Sequence, residues 1–388
     1  MKIKMNLKTQ GFILIDVDVV ALNNAGKNTT SNFDNAVATK KIFKNGRTYT
    51  YVSGQAWRYW WRETLKQNHT WALSPITRDA KIAFTEANPF LYPDDDVFGY
   101  MKAAKDIKRD ENGNPVLKNG KEEKEDVTVT RISPLKNSVL ISVGSTRTVE
   151  NWSSMARQEG DSVPFSKEEY SAVMKGMFSL DLFQIGTFAS YNKTGFKNLT
   201  DKGRSEAFNF EAIEINDPFI KDKKGDAKML LQLPKNIRIQ RITDTISALK
   251  TISGGAMQTN NMADVTPKFI ILTSMNTGNH PFSHVVKSEG MNNDKVLLNI
   301  EGIKEVLNDY KDQFQGTIFI AKRSGFMDEY NDELKSLETE FDGSKNEWTD
   351  KNVAGQEVKR VRTGLKVVFT TINQAIDQYC EQVKTQIV

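Results

Sequence analysis

The most concentrated group of cationic side chains in the sequence lies between residues 38 and 66. This stretch contains seven Lys or Arg residues and one acid, a net charge of +6, whereas the whole chain carries +4. On a helix with about 100° per residue, one stripe collects the long polar side chains of Gln55, Arg58, Arg62 and Lys66. A row of such donors can hold the phosphates of a nucleic acid. A merely solvated helix face is the alternative interpretation.

Two neighbouring polar segments offer further contacts for a single-stranded nucleic acid. Polar side chains bind phosphates and sugars, and unbranched apolar side chains can slip between bases. The first segment, a loop and a basic turn, contributes Asn23, Asn24, Lys40, Lys41 and Ser53. The second segment, a glycine-containing loop, contributes Gly254, Gly255, Met257 and Gln258. Packing of Met257 and Met262 against the core or a neighbouring subunit is the alternative.

Residues that could catalyse a reaction or bind a cofactor show no recognisable arrangement in the sequence. His280 and His284 have the spacing of a metal-binding pair, but Pro281 interrupts a helix through them. The sequence contains no Gly-x-x-x-x-Gly-Lys-Ser/Thr loop for ATP. We therefore expect no metal site, no cofactor and no catalytic residue. The acidic triplet Asp94–Asp96 is predicted to be a solvated loop instead of a metal site.

The elements that must position the basic stripe follow from local patterns. Residues 11–20 form an apolar run rich in β-branched side chains, with Asp16 and Asp18 on the face opposite Ile13, Ile15, Val17 and Val19, which predicts a strand. Asn45-Gly46 predicts the turn of a hairpin, and Ser53 could cap a helix that begins near Gly54. The side of this helix opposite the basic stripe carries three tryptophans, which we expect to be buried: Trp57, Trp60 and Trp61.

The second half of the chain has a comparable set of patterns. Residues 166–169 have the sequence of a capping box, which predicts a helix through the residues that follow. The buried face of that helix would carry Tyr170, Val173, Met174 and Met177. Further strands are predicted at residues 268–273 and 316–320, and further helices at residues 239–249, 295–310 and 372–383.

Regular periodicity is lost over residues 67–165, which we interpret as an insertion. Without them the elements follow the order strand, helix, strand, strand, helix, strand. This order is typical of a ferredoxin-like α+β fold, in which two helices cover one face of an antiparallel sheet. RNA-recognition modules share such a core, but the fold alone does not decide the function.

The bulk composition limits the environment in which the protein works. The chain of 388 residues has 38% hydrophobic residues, enough for one elaborated domain or two. Its single cysteine, Cys380, forbids an internal disulfide and suits a reducing cytoplasm. No apolar run approaches the length of a membrane span, so we expect a cytoplasmic protein with no membrane partner.

Two sequence blocks resemble a known family. The first is Tyr-Val-Ser-Gly-Gln-Ala-Trp-Arg-Tyr-Trp-Trp-Arg at residues 51–62, preceded by Leu22-Asn23-Asn24 and Lys40-Lys41. The second is Ser-Gly-Gly-Ala-Met-Gln at residues 253–258, followed by Asp-Val-Thr-Pro-Lys-Phe at residues 264–269. Together the blocks resemble the DevR branch of the Cas-seven family, the backbone subunit of type I CRISPR surveillance (Cascade) complexes.

The resemblance implies a fold and a set of partners. Residues 1–66 and 166–388 would form an RRM-like palm, residues 67–165 a finger region, and residues 254–266 a thumb. Several copies would stack head to tail along one CRISPR RNA (crRNA), with other Cascade subunits, and would present the guide for pairing with target DNA. The RNA-binding residues would be Asn23, Asn24, Lys40, Lys41, Ser53, Gln55, Arg58, Arg62, Gly254, Gly255, Met257 and Gln258.

The resemblance implies that the protein has no catalytic role, and the alternative that stays open is a nuclease. Related subunits of type III complexes cleave target RNA with an aspartate in the loop after the first strand, where this chain has Asp34. A free-standing transcription regulator would need a helix-turn-helix or dimer signature, which the sequence lacks.

Residues 253–264 are polar and glycine-containing, so we expect them to be ordered only by RNA and the next copy.

Overall fold

A computed structural model describes residues 6–32, 34–79, 82–103, 105–108, 110, 114–155, 163–193, 196–290, 295–351 and 357–387. The helices are α1 (Gly54–Asn68), α2 (Pro93–Phe98), α3 (Asp201–Ala207), α4 (Lys235–Ser247), α5 (Gln258–Asn261), α6 (Ile300–Asp309), α7 (Asn331–Glu340) and α8 (Ile372–Gln386). Short 3₁₀ helices lie at Phe208–Phe210, Ala248–Lys250, Pro281–His284 and Asp328–Tyr330. Within the described ranges, none of the helices is both long and apolar enough to cross a membrane.

The strands of the first half are β1 (Lys8–Val20), β2 (Asn24–Lys27), β3 (Ala36–Thr39), β4 (Lys41–Lys44), β5 (Arg47–Val52), β6 (Ile76–Asp79), β7 (Ile82–Thr85), β8 (Tyr100–Lys102), β9 (Lys105–Ile107), β10 (Leu117–Lys118), β11 (Lys121–Glu122), β12 (Lys124–Asp126), β13 (Val129–Arg131), β14 (Leu135–Asn137), β15 (Leu140–Ser142), β16 (Val149–Met155) and β17 (Val163–Asp181). Those of the second half are β18 (Thr187–Ala189), β19 (Ile213–Lys221), β20 (Ala227–Gln232), β21 (Phe269–Met275), β22 (Val286–Ser288), β23 (Val296–Leu298), β24 (Thr317–Lys322), β25 (Lys345–Lys351), β26 (Glu357–Thr363) and β27 (Lys366–Thr371).

The chain folds into two compact units. The first comprises Met1–Thr64, Lys136–Leu180 and Thr245–Gln386, and the second comprises Leu65–Leu135, Asp181–Asp244 and Ile387–Val388. All of the residues predicted to bind RNA belong to the first unit. The division of the chain into palm, fingers and thumb stays a prediction.

A large, mainly antiparallel sheet forms the centre of the first unit. Its strands lie in the order β27-β24-β21-β1-β17-β15-β5-β4. β1 is antiparallel to β21, with Phe12 opposite Ile271, and β15 is antiparallel to β17, with Ile141 opposite Lys175. Along this path the β24–β27 pair is parallel, with Ile320 opposite Phe369. The predicted α+β class is therefore confirmed, and so are the strands at residues 11–20, 268–273 and 316–320.

Helices pack on both faces of this sheet. On one face, α6 and α7 bury a cluster that includes Phe12, Ile271, Ile303 and Leu334. The other face receives α1, whose Trp61 ring meets the Phe178 ring of β17 edge-on, with the ring centroids 5.1 Å apart. Successive residues of a strand point to opposite faces, so each strand contributes to both cores.

The tryptophan side of α1 confirms the predicted orientation of that helix. Trp57 and Trp61 stack with their centroids 5.7 Å apart, and the Trp61 indole donates to the Thr245 carbonyl oxygen at 2.7 Å. Gly176 of β17 makes room for Trp57, because a Cβ atom there would lie 3.1 Å from the indole ring and 2.4 Å from Leu140. All three tryptophans are buried.

The helix predicted after residues 166–169 is wrong, because these residues belong to the 19-residue strand β17. A spacing of four residues fits a helix, but it also returns to the same face of a strand. Met174, Gly176, Phe178 and Leu180 are buried in strict alternation, which is the strand pattern. Val173 and Met177 instead pack on the opposite face, against the cluster of α6 and α7. Pairing with strands on both sides overrides the local capping signal.

The solvated loop predicted for the acidic triplet is also wrong. Asp94, Asp95 and Asp96 lie in α2 of the second unit and are buried. Asp96 accepts hydrogen bonds from the guanidinium groups of Arg131 and Arg241, the latter at 2.6 Å. A buried carboxylate needs such partners, because removing its charge from water is costly.

We expect Trp57→Ala to lower the free energy of unfolding by about 3–5 kcal/mol, because the side chain is 1% exposed and its loss leaves a cavity. Tyr59→Ala on the same helix is the matched control. Its side chain is 59% exposed, so its effect should stay within about 0.5 kcal/mol. Urea denaturation followed by circular dichroism measures both, and equal effects of the two substitutions would contradict the orientation of α1.

Candidate nucleic-acid interface

The loop after β1 is fastened to the start of α1 by an asparagine. The Asn23 side-chain oxygen accepts a hydrogen bond from the Ser53 backbone N–H at 2.9 Å, and its carbonyl oxygen accepts one from the Lys40 N–H at 3.0 Å. The Ser53 hydroxyl accepts from the Ala56 N–H at 3.3 Å, as expected of a residue that caps the helix. Asn24, in β2, is exposed. Asn23 therefore positions the loop, and Asn24 offers its amide to solvent.

The two glycines of the second block allow this segment to approach the loop and the helix closely. A Cβ atom at Gly254 would lie 2.1 Å from the Trp60 indole, and one at Gly255 would lie 2.7 Å from the Leu22 side chain. Gly255 also has a positive φ of +113°, which side chains disfavour. The Ala256 N–H donates to the Leu22 carbonyl oxygen at 2.9 Å.

The expectation that residues 253–264 are ordered only from outside is wrong, because the segment folds onto its own chain. The Asn261 amide donates to the Val19 carbonyl oxygen and to the Glu169 carboxylate, both at 2.8 Å. Lys167 donates to the Asn261 side-chain oxygen at 3.1 Å. The Gln258 amide donates to the Gly254 carbonyl oxygen within the segment. Hydrogen bonds with residues of β1 and β17, which are distant in sequence, thus hold this largely polar segment in place.

The two methionines of this segment differ in exposure. Met257 is half-buried and has a left-handed backbone conformation with φ of 58°. Met262, at the end of α5, is 86% exposed. An exposed unbranched side chain on a fastened segment can insert between bases. Met262 is therefore the better candidate wedge, although it is absent from the predicted set of RNA-binding residues.

Arg58 and Arg62 lie half-buried on the outer side of α1. The Arg58 guanidinium donates to the Asn137 side-chain oxygen at 3.3 Å. Burial, and then the neighbouring charge of Arg62, lower the pKa of Arg58 to about 10. The group stays charged at neutral pH, but two poorly solvated cations repel each other there. Gln55, one turn earlier, is exposed. A phosphate placed between the guanidinium groups would relieve that repulsion.

Lys41 is paired within the protein, which its sequence position did not reveal. Its ammonium group contacts the Glu168 carboxylate and lies 3.2 Å from the Thr148 hydroxyl. Glu168 also accepts from the Thr39 N–H at 2.8 Å. Lys40 is half-buried at the junction of β3 and β4. Glu168 is a residue that sequence reasoning missed, since it lay in the segment predicted to begin a helix.

The structure thus brings part of the predicted set together. Asn23 bonds to Ser53 at the start of α1, while Gly254 lies against Trp60 of the same helix and Gly255 against Leu22 of the loop. Arg58 and Arg62 continue along the same helix. Asn24 lies on β2 and Lys41 on β4, where Lys41 pairs with Glu168.

His280 was considered as a metal ligand and Asp34 as a catalytic residue, and the structure shows what each side chain contacts. His280 Nε2 lies 2.9 Å from the Gly11 carbonyl oxygen, and burial lowers the pKa of His280 to about 4. Asp34 is fully exposed, 3.7 Å from the Lys27 ammonium group. In the part of the chain that the structure describes, no three His, Cys, Asp or Glu side chains are grouped to hold a metal ion.

Residues 14–296 match the family model described as CRISPR-associated negative auto-regulator DevR/Csa2. The chain belongs to this family. The match spans both sequence blocks, so the resemblance that they indicated is confirmed. No curated protein matches the sequence at a significant level.

Two solved structures are similar to the DevR/Csa2 chain in fold. One, described as a CRISPR RNA-guided surveillance complex, is 8% identical, covers 97% of this chain and 99% of its own, and has a TM-score of 0.38. The other, described as a CRISPR RNA-guided surveillance complex, pre-nicking, has the same identity and coverage with a TM-score of 0.48.

Proposed function

We propose that the chain is a guide-RNA-binding backbone subunit of a type I CRISPR surveillance complex and has no catalytic role. The observation that carries this proposal is the pair of Arg58 and Arg62. Both lie on a helix that buried tryptophans hold in place, and that helix begins at the loop fastened by Asn23. Family membership supports the CRISPR context.

The physical case for RNA at this site rests on charge and geometry. Guanidinium groups bind phosphate oxygens through two parallel hydrogen bonds, and they are weakly hydrated. Burial is the first cause of the lowered pKa of Arg58 and the charge of Arg62 the second, and a phosphate beside both groups would attract both cations and offset their repulsion. Contacts of this kind grip the backbone without reading the sequence, as a subunit that accepts any guide requires.

The order of the central strands supports an RRM-like palm. Four neighbouring strands lie in the order β21-β1-β17-β15, and in sequence α1 lies between β1 and β15 while α4 lies between β17 and β21. This is the strand order of a ferredoxin-like core, with two interleaved strand–helix–strand units. Under this proposal residues 254–266 act as the thumb that contacts the guide of the assembled complex.

We expect replacement of Arg58 and Arg62 by Ala to weaken binding of unrelated guide RNAs to the same extent. Each lost phosphate contact should also reduce the slope of log K against log salt by about 0.7, the value for single strands. Filter binding at several salt concentrations measures this slope. Lys202→Ala, at an exposed lysine of the second unit, is the control for charge alone. An unchanged slope in the double variant would show that the basic stripe is merely solvated.

We also propose that several copies assemble head to tail along one guide. Contacts of this heterologous type do not close on themselves, so the RNA must limit the length of the assembly. We expect longer guides to bind proportionally more copies, as measured by light scattering on guides of increasing length. A complex with one copy at every guide length would contradict the backbone role, even if Arg58 and Arg62 prove necessary for RNA binding.

The proposed absence of catalysis can be tested through Asp34. A metal-assisted or acid–base role would need this carboxylate close to the scissile phosphate, whereas it lies fully exposed beside Lys27. We expect a complementary RNA to stay intact when it is incubated with the guide-loaded protein and Mg²⁺, as seen on denaturing gels. Site-specific cuts that disappear in Asp34→Ala would favour the type III-like nuclease instead.

A further inference from the structure

A second group of cations and aromatic rings lies at the β4 edge of the central sheet. In the β4–β5 pair Ile42 is opposite Tyr49 and Lys44 is opposite Arg47. In the next two pairs Tyr51 is opposite Ile141, and Ile141 is opposite Lys175. Residues directly opposite in neighbouring strands share a face, as do alternate residues of one strand. The sheet-edge surface therefore comprises Ile42, Lys44, Arg47, Tyr49, Tyr51, Ile141 and Lys175.

This sheet-edge surface lies on the face of β17 opposite to α1. Gly176 and Phe178 face the tryptophans of α1, so Lys175, which directly precedes Gly176 in the strand, points the other way. Val173, on the same face as Lys175, still packs against the core cluster of α6 and α7. Further out, Ile42 is 38% exposed and Lys44 is exposed, whereas Tyr49 and Tyr51 are half-buried. The same face of the sheet is thus covered by the apolar core at β17 and exposed to solvent at β4.

The cations of the sheet-edge surface are concentrated enough to influence one another. The Lys175 ammonium group donates to the Ser283 carbonyl oxygen at 2.7 Å and is half-buried. Burial, and then the charge of Lys44, lower the pKa of Lys175. The seven side chains of this surface include three cations and no carboxylate. Such a surface is complementary to a polyanion.

Aromatic rings beside cations favour a single-stranded nucleic acid over an acidic peptide. Bases stack on flat side chains while the phosphates contact Lys or Arg, whereas an acidic peptide would use only the cations. We propose that the sheet-edge surface binds single-stranded DNA, with bases stacked on Tyr49 and Tyr51 and phosphates held by Lys44, Arg47 and Lys175. The site is separate from the guide site, because α1 packs on the other face of the sheet.

The choice of DNA rests on the proposed function. If the guide pairs with one strand of a target duplex, the other strand becomes single and available. The exposed edge strand β4 then provides a place for it on the same subunit, outside the guide site. DNA binding by this surface can be measured whether or not the guide assignment holds.

The test uses the full chain saturated with guide RNA and a fluorescent oligothymidine, whose affinity is measured by anisotropy. The double variant Lys44→Glu and Arg47→Glu should lower the affinity for oligothymidine at least about tenfold and reduce its salt slope by about 0.7 per lost contact. The double variant Tyr49→Ala and Tyr51→Ala should lower it roughly fivefold to hundredfold for each base that loses its stacking partner.

The same strand offers a matched control. Phe43 lies between Ile42 and Lys44, points to the other face and is 80% exposed, so Phe43→Ala should leave the affinity unchanged. The charge reversal Lys202→Glu in the second unit should also leave it unchanged. Because Tyr49 and Tyr51 are half-buried, the double variant Tyr49→Phe and Tyr51→Phe separates stacking from folding: it keeps the rings and should keep the binding.

Three outcomes would overturn the proposal. The first is an unchanged oligothymidine affinity in the Lys44 and Arg47 variant, or an equal loss in Phe43→Ala. The second is an equal loss of guide RNA affinity in the sheet-edge variants, which would make this surface part of the guide site. The third is competition by polyglutamate as effective as that by unlabelled oligothymidine, which would indicate an acidic peptide. If Arg58 and Arg62 prove unnecessary for guide binding while the sheet-edge variants still lose oligothymidine, only the proposed function fails.

Discussion

The packing of three tryptophans at α1 is the contact on which the rest of the first unit depends. Trp57 and Trp61 rest on Phe178 and on the space left by Gly176, and this fixes the rotation of the helix about its axis. Because the helix cannot rotate, Arg58 is held on the outer side. Trp60 completes the arrangement from its own side, where Gly254 lies against the indole ring. One aromatic cluster thus positions the basic stripe and the second sequence block together.

Local sequence patterns were enough to predict the elements whose periodicity fits only a strand or only a helix. β1 is an apolar run rich in β-branched residues with Asp16 and Asp18 on one face, the hairpin of β4 and β5 has an Asn-Gly turn, and α1 separates apolar from basic residues at 100° steps. β17 could not be predicted in this way. A spacing of four residues fits both periods, and its capping-box sequence is a local signal without weight inside a paired strand. The capping-box residues themselves pair with β16 on one side and, at Ser166 and Lys167, with the distant β3 on the other, and no local pattern shows this pairing.

In the candidate site, too, local sequence patterns predicted some parts, whereas contacts between residues distant in sequence decided the parts that were missed. Residue types alone were enough to single out the loop after β1, helix α1 and the glycine-containing segment as parts of the candidate site. It could not show that Asn23 would bond to the Ser53 backbone, or that Lys41 would pair with Glu168, 127 positions away. The burial of Asp96 was missed for the same reason, since its partner Arg241 is 145 positions away. Polar side chains satisfied by distant partners look like surface residues in the sequence.

Several polar residues of the candidate interface are paired within the protein and therefore fix its shape before any ligand binds. Asn23 and Asn261 fasten the loop and the second block, so the cost of ordering these segments is met when the chain folds and not when RNA binds. The unfavourable proximity of Arg58 and Arg62 is likewise established on folding, against the packing of the tryptophans. A bound phosphate then gains attraction without a further ordering cost. The apolar anchoring of α1 therefore serves the charge on its outer side, because a helix fixed about its axis holds both guanidinium groups where one phosphate would contact them together.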